Sequence, residues 1–289
     1  MSKLFYKFVS DDSSDFKVLK SFCAGNIKFS CFPDLNDSSE EFVTTNLDEY
    51  NSSLRNVLNK GLSQENMQML MKHLNLFYKI YPSDGIEGMK ELLSQFANCL
   101  KGNSLISEFA RNTIQIPELM ELLTQTLNDV HKEILNKVGI FCVTKRINYY
   151  PMWAHYADNA KGFAVEFKNL NKCFNGDNEE TEVFHKLKPV EYSDGYRPSV
   201  SLEPSDLDEI FFSKLDHWEN EREYRVVELL ESCNSLNEKI HLFPIDRKYI
   251  NRIIVGWKCP DDRFEEIKKV CGDISVVRAK LNEFGNIVI

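Results

Sequence analysis

The stretch Met152–Phe167, "MWAHYADNAKGFAVEF", changes character halfway along. Its second half, "GFAVEF", has ordinary strand composition. Its first half gathers Trp153, His155, Tyr156 and Asp158 immediately before that strand. Two readings account for the crowding. In one, the indole, imidazole and phenol form a cleft wall for a ligand. In the other, the segment is an amphipathic turn. Trp153 and Tyr156 then cover the core, and His155 is a hydrogen-bonded core histidine that only Asp158 is near enough to orient.

Strand composition continues on both sides. "LFYKFV", "IKFSCF", "GIFCVT", "LKPVEY", "REYRVVEL", "KIHLFP", "INRIIVGW" and "ISVVRAKL" are short apolar runs rich in β-branched and aromatic residues. "SDFKVLKSFCAGN" reads as a short helix capped by Ser14 or Asp15 and stopped by Gly25. "CPDDRFEEIKKVCG" reads as a late helix with Pro260, Asp261 and Asp262 at its start and Gly272 at its end. Residues 47–138 differ, with apolar side chains three and four apart and breaks at "PSDG" and Ile116-Pro117. The expected fold is α+β: one domain over 1–289, a mostly antiparallel sheet with a helical insertion at 47–138. The Met and Leu residues of that block are a helix-packing core.

Composition narrows the function. With 43% hydrophobic and 27% charged residues, the 289-residue chain has material for a sizeable core. A net charge of -9 argues against broad binding to duplex nucleic acid or an anionic membrane. No apolar run has the length of a signal peptide core or a membrane span, so no membrane association is expected. The eight cysteines are scattered without a C-x-x-C pair. Cys23 and Cys142 sit among apolar neighbours, as buried free thiols do. These features suit a reduced, cytoplasmic protein. Walker, G-x-G-x-x-G, G-x-S-x-G and HExxH patterns are absent, so P-loop, Rossmann, α/β-hydrolase and zinc-hydrolase chemistry lack their motifs.

The second notable stretch is "SKLDHWENEREYRVVEL". Read as a strand start, Glu221 and Glu223 share a face with Arg225. Two carboxylates on one face repel unless a cation or polar ligand lies between them. Such a pair suits a site that stabilises a positive transition state. The plainer reading is a solvated sheet edge with Lys214 and Arg225 as counter-ions.

"LFYKF" with "IKFSCFPDLNDSSEEF", then "FCVTKRINYYPMWAHYADNAKGFAVEF", then "VEYSDGYRP" with "KLDHWENEREYRVVE", resemble in that order a bacterial family. It is the family catalogued as domain of unknown function 2971. The matching positions are Tyr6, Lys7, Ser30, Asn36, Asp37, Trp153, His155, Tyr156, Gly162, Tyr192, Lys214, Trp218, Glu221, Glu223 and Arg225. The family's Pro-Phe is Ser38-Ser39 here, and its second histidine is Ala160. The resemblance tilts the opening question toward a cleft wall.

More distantly, the layout is similar to ADP-ribosyltransferases, whose catalytic glutamate opens a late strand, often as E-x-E. That likeness implies NAD as a substrate and no metal, in a phage-defence or toxin setting. Glu223 would be the catalytic carboxylate, strengthening its hold on the ribose 2'-hydroxyl as positive charge grows on the sugar. Glu221 would orient a protein or nucleic-acid acceptor. Tyr156 or Trp153 would stack on nicotinamide, and Lys7 or His155 would meet ribose or phosphate. Tyr6, Ser30, Lys214, Trp218 and Arg225 would complete the substrate pocket. The alternative is a non-catalytic module of a defence system, binding a nucleotide or a partner, with the helical block as its protein-binding surface. A nuclease with Mg2+ held by Asp37, Glu40, Glu221 and Glu223 is a third reading.

Overall fold

The computed structural model describes residues 3–10, 15–35, 135–174, 184–194, 211–237 and 240–289. The chain divides into two compact units. One comprises residues 1–34, 139–195 and 212–289; the other comprises 35–138 and 196–211. The expected helical block lies outside the described residues apart from 135–138. So do Asn36, Asp37, Ser38, Ser39 and Glu40.

In chain order the strands are β1 (Leu4–Val9), β2 (Asn26–Cys31), β3 (Val138–Thr144), β4 (Phe163–Lys168), β5 (Lys188–Pro189), β6 (Glu191–Ser193) and β7 (Ser213–Leu215). They continue with β8 (Glu223–Leu229), β9 (Asn234–Asn237), β10 (Ile240–Pro244), β11 (Ile250–Val255), β12 (Ser275–Arg278), β13 (Lys280–Leu281) and β14 (Ile287–Val288). The described α-helices are α1 (Lys17–Cys23), α2 (Tyr150–Tyr156), α3 (Leu170–Cys173) and α4 (Asp261–Cys271). Ten strands form the main sheet, in the order β12-β11-β4-β1-β3-β2-β10-β9, with β8 on β3 and β5 on β8. Most pairings are antiparallel; β11 and β12 run parallel. The fold class is α+β.

Both faces of the central strands are covered, which explains why those strands read as near-continuous apolar runs. Every residue of β4 but the last is buried. One face carries Phe5, Phe141, Phe163, Val165, Phe167 and Ile253 against Leu19 and Phe22 of α1 and Ile267 of α4. The opposite face carries Tyr6, Phe8, Ala164 and Ile254 against Trp153 of α2 and Ala157, the residue that caps its C-terminal end.

Two local details fix α2 on its strand. Asp158, Asn159 and Ala160 have φ values of 44°, 51° and 67°, three left-handed residues in a row. That run reverses the chain within one turn, although non-glycine residues rarely adopt it. Gly162 follows because a Cβ there would lie 2.3 Å from the Val9 carbonyl oxygen. At α1, the N-cap is not Asp15 but Phe16, in the left-handed region with no side-chain cap. Its buried ring lies 3.6 Å below the Arg263 guanidinium, so packing sets this helix start. Gly25, at φ 78°, ends α1 as expected.

Among the described residues, no helix is long and apolar enough to cross a membrane.

Candidate functional site

Glu221 and Glu223 do not lie on one strand. Glu221 ends a 3-10 helix, Asp216–Glu221, and Glu223 opens β8. Arg222 between them is left-handed, at φ 46°. This kink still brings both carboxylates to one cation. Lys214 Nζ donates to Glu221 Oε2 at 3.0 Å and to Glu223 Oε2 at 3.2 Å. Arg225 Nε donates to Glu223 Oε1 at 2.8 Å, and its Nη2 to Oε2 at 3.3 Å. Tyr156 Oη donates to Glu221 Oε1 at 2.9 Å.

The group is buried, not a solvated edge. Lys214, Glu221 and Glu223 are 6–8% exposed and Arg225 is 1% exposed. Two acids face two bases, so the cluster carries no formal net charge. Such a group tolerates burial because each charge is paired and hydrogen-bonded. The counter-ion assignment of Lys214 and Arg225 therefore holds, in a buried setting.

Other elements complete the network. β6 and β7 pair in parallel with Tyr192 beside Lys214, which aims both at the start of β8. Tyr192 Oη accepts the Glu223 backbone N–H at 2.9 Å. Its phenol is pushed up to about 12, first by burial and then by the Glu223 charge. Thr144, at the end of β3, donates to the Glu221 carbonyl at 2.5 Å and accepts from the Arg146 N–H at 3.1 Å. The Cys142 thiol bonds to the Glu223 carboxylate and is held well above its usual pKa, by burial first. Burial also works to raise the Glu223 pKa. Arg225 and Lys214 outweigh it, with hydrogen bonds from Arg225 and Cys142, and hold the carboxyl well below its ordinary range.

The remaining candidates are spread out. Trp153 belongs to the core, not to a cleft wall. It is 0% exposed, its Nε1–H donates to the Ile147 carbonyl at 2.7 Å, and it meets Phe8 and Trp257 edge-on. A helix turn of about 100° per residue explains the split, with Trp153 inward, His155 outward and Tyr156 between. His155 is exposed rather than a core histidine, and Asp158 instead pairs with Lys161 at 3.8 Å. Trp218 is half-buried with Lys214 Nζ 4.7 Å from its ring centre. Tyr6 and Lys7 point to opposite faces. Lys7 lies 5.6 Å from the Phe141 ring. Tyr6 bonds to Glu166, whose carboxylate is gripped by Arg252 at 2.9 and 3.0 Å and by Asn251 at 2.5 Å. Burial, then Glu166, pushes the Tyr6 phenol up to about 12. Ser30, half-buried, pairs with Ile140 on β3.

Sequence reasoning did not single out Cys142, Thr144, Arg146, Glu166 or Arg252 as site residues. A carboxylate inside the apolar run "GFAVEF" was the available signal for Glu166. Among the described residues, no three His, Cys, Asp or Glu side chains gather as a metal site.

A family model described as Protein of unknown function (DUF2971) matches residues 152–226. Over that segment the chain is similar to that family. Tyr156, Tyr192, Lys214, Trp218, Glu221, Glu223 and Arg225 all fall inside it. No curated protein and no solved structure matches the chain.

Proposed function

We propose that this chain is a nucleotide-binding module in which the glutamate pair is framework rather than catalyst. The carrying observation is that both Glu223 carboxylate oxygens are taken by Arg225 and Lys214 within a residue 7% exposed. A carboxylate so placed must lose a buried partner before it can reach a ribose hydroxyl. Its two cations also cancel the field that would stabilise an oxocarbenium ion.

The side chains around it suit a nucleotide. Tyr149, Tyr156 and Trp218 are half-buried, while His155, His217 and Arg222 are exposed. The Arg146 guanidinium lies 4.4 Å from the Tyr149 ring centre and donates to the Asn220 carbonyl at 2.8 Å. Guanidinium beside aromatic rings is the chemistry that holds a phosphate and stacks a base. The Arg146 and Arg222 guanidiniums stand out in a chain of net charge -9, and Asp216 sits 3.0 Å from the His217 ring nitrogen. The expected setting is the cytoplasm of a bacterium, in a defence system.

The NAD-cleaving reading keeps one observation in its favour. Glu223 opens a late strand and is held ionised, as a carboxylate facing a developing sugar cation must be. Incubation with NAD, with and without cell extract, separates the two. The module reading expects bound NAD and no nicotinamide release. Release by the wild type that vanishes in a folded Glu223→Gln variant overturns it in favour of ADP-ribosyl transfer or NAD hydrolysis.

A further inference from the structure

Cys23 is the last residue of α1 and Cys271 the last residue of α4. The two helices pack on each other; Cys271 belongs to the cluster that covers one face of the sheet, and Cys23 packs against it. Their thiols are hydrogen-bonded to each other, and both are free. The pair is unequal. Contrary to the buried thiol expected from its apolar neighbours, Cys23 is partly exposed, whereas Cys271 is 2% exposed.

We infer that Cys23 and Cys271 form a peroxide-responsive thiol pair that closes reversibly to a disulfide. Reaction at thiols follows thiolate character and access, and an accessible cysteine beside a resolving cysteine favours a disulfide over deeper oxidation. The hydrogen bond from Cys271 draws the Cys23 pKa down, against burial, and Arg247 adds to the effect. The Cys271 thiol is pushed up by that same bond and by burial, and it is the less accessible of the two. Burial instead pushes up the thiols of Cys31, Cys142, Cys173, Cys233 and Cys259. Cys23 combines partial exposure with a thiol partner in hydrogen-bond contact, which makes it the expected first site of reaction.

The oxidant is hydrogen peroxide. The Cys23 thiolate attacks one peroxide oxygen and the O–O bond breaks. Cys23 becomes a sulfenic acid, and the leaving hydroxide takes up a proton to give water. Cys271 sulfur then attacks the Cys23 sulfur. The S–O bond breaks, the thiol proton leaves with the hydroxyl as a second water, and the S–S bond forms. Two thiols are oxidised and one peroxide is reduced to two waters. The product ties the C-terminal end of α1 to that of α4.

The test uses the reduced full-length chain treated with peroxide, alkylated with iodoacetamide and digested with trypsin. The proposal expects peptides Ser21–Lys28 and Val270–Arg278 joined, two hydrogen masses below their sum and unalkylated. Dithiothreitol should separate them. In a Cys271→Ser variant the sulfenic acid has no resolving thiol, so dimedone should label Cys23. Alkylation of both peptides after peroxide overturns the proposal. So does dimedone labelling of another described cysteine ahead of Cys23.

Discussion

Replacing Glu223 with Gln removes one negative charge from between two buried cations. Lys214 then keeps the Glu221 carboxylate, while Arg225 loses the Glu223 carboxylate. Breaking a buried pair in this way costs about 3–5 kcal/mol, and we expect that loss as a lower urea midpoint at pH 7. The folded Glu223 pKa lies below the ordinary carboxylate value of 4.5. A depressed folded pKa contributes stability above the unfolded value and loses it as pH falls toward the folded one. The stability gap between wild type and Glu223→Gln should therefore be full above pH 4.5 and shrink below it. A gap independent of pH would show that Glu223 is not held ionised by its partners. At this scale the sequence was legible where opposite charges alternate, since Lys214, Glu221, Glu223 and Arg225 could be grouped from their spacing. It was not legible at Trp153. An indole suits a ligand wall and a core equally, and the choice rests on which way α2 rolls against β1 and β4.

The 3-10 helix Asp216–Glu221 depends on a neighbour distant in sequence. Thr144 hydroxyl joins the Glu221 carbonyl to the Arg146 N–H and so ties this helix to the end of β3. Thr144→Val keeps the shape and orphans both groups. We expect a cost of about 1–3 kcal/mol, read as a lower thermal midpoint, with faster amide exchange confined to residues around Glu221. Exchange that is unchanged there would mean that the helix is held by Lys214 and Tyr156 alone. The long strands were readable because both faces of the sheet are covered and their apolar runs are nearly unbroken. The short strands β7, β9 and β14 were not readable, because two to four residues carry no period. The left-handed step at Arg222 was invisible as well. It moved Glu221 off the strand while leaving its carboxylate beside Lys214.

At the scale of the molecule, a chain of net charge -9 places Arg146 and Arg222 beside the buried cluster of Lys214, Glu221, Glu223 and Arg225. On the nucleotide-binding proposal, the two guanidiniums would meet the phosphate and the nearby aromatic rings would stack the base. Fold class came from composition and pattern, whereas the order of the strands in the sheet did not. The site's burial came from the crossing of β3, β6, β7 and β8, which no local pattern records. The most direct measurement is a calorimetric titration of NAD into the wild-type chain and into Arg146→Ala. The account predicts saturable heat with the wild type and at least about tenfold weaker binding in the variant, from the lost charged contact. Equal affinity in the two proteins, or no heat with the wild type, would contradict it.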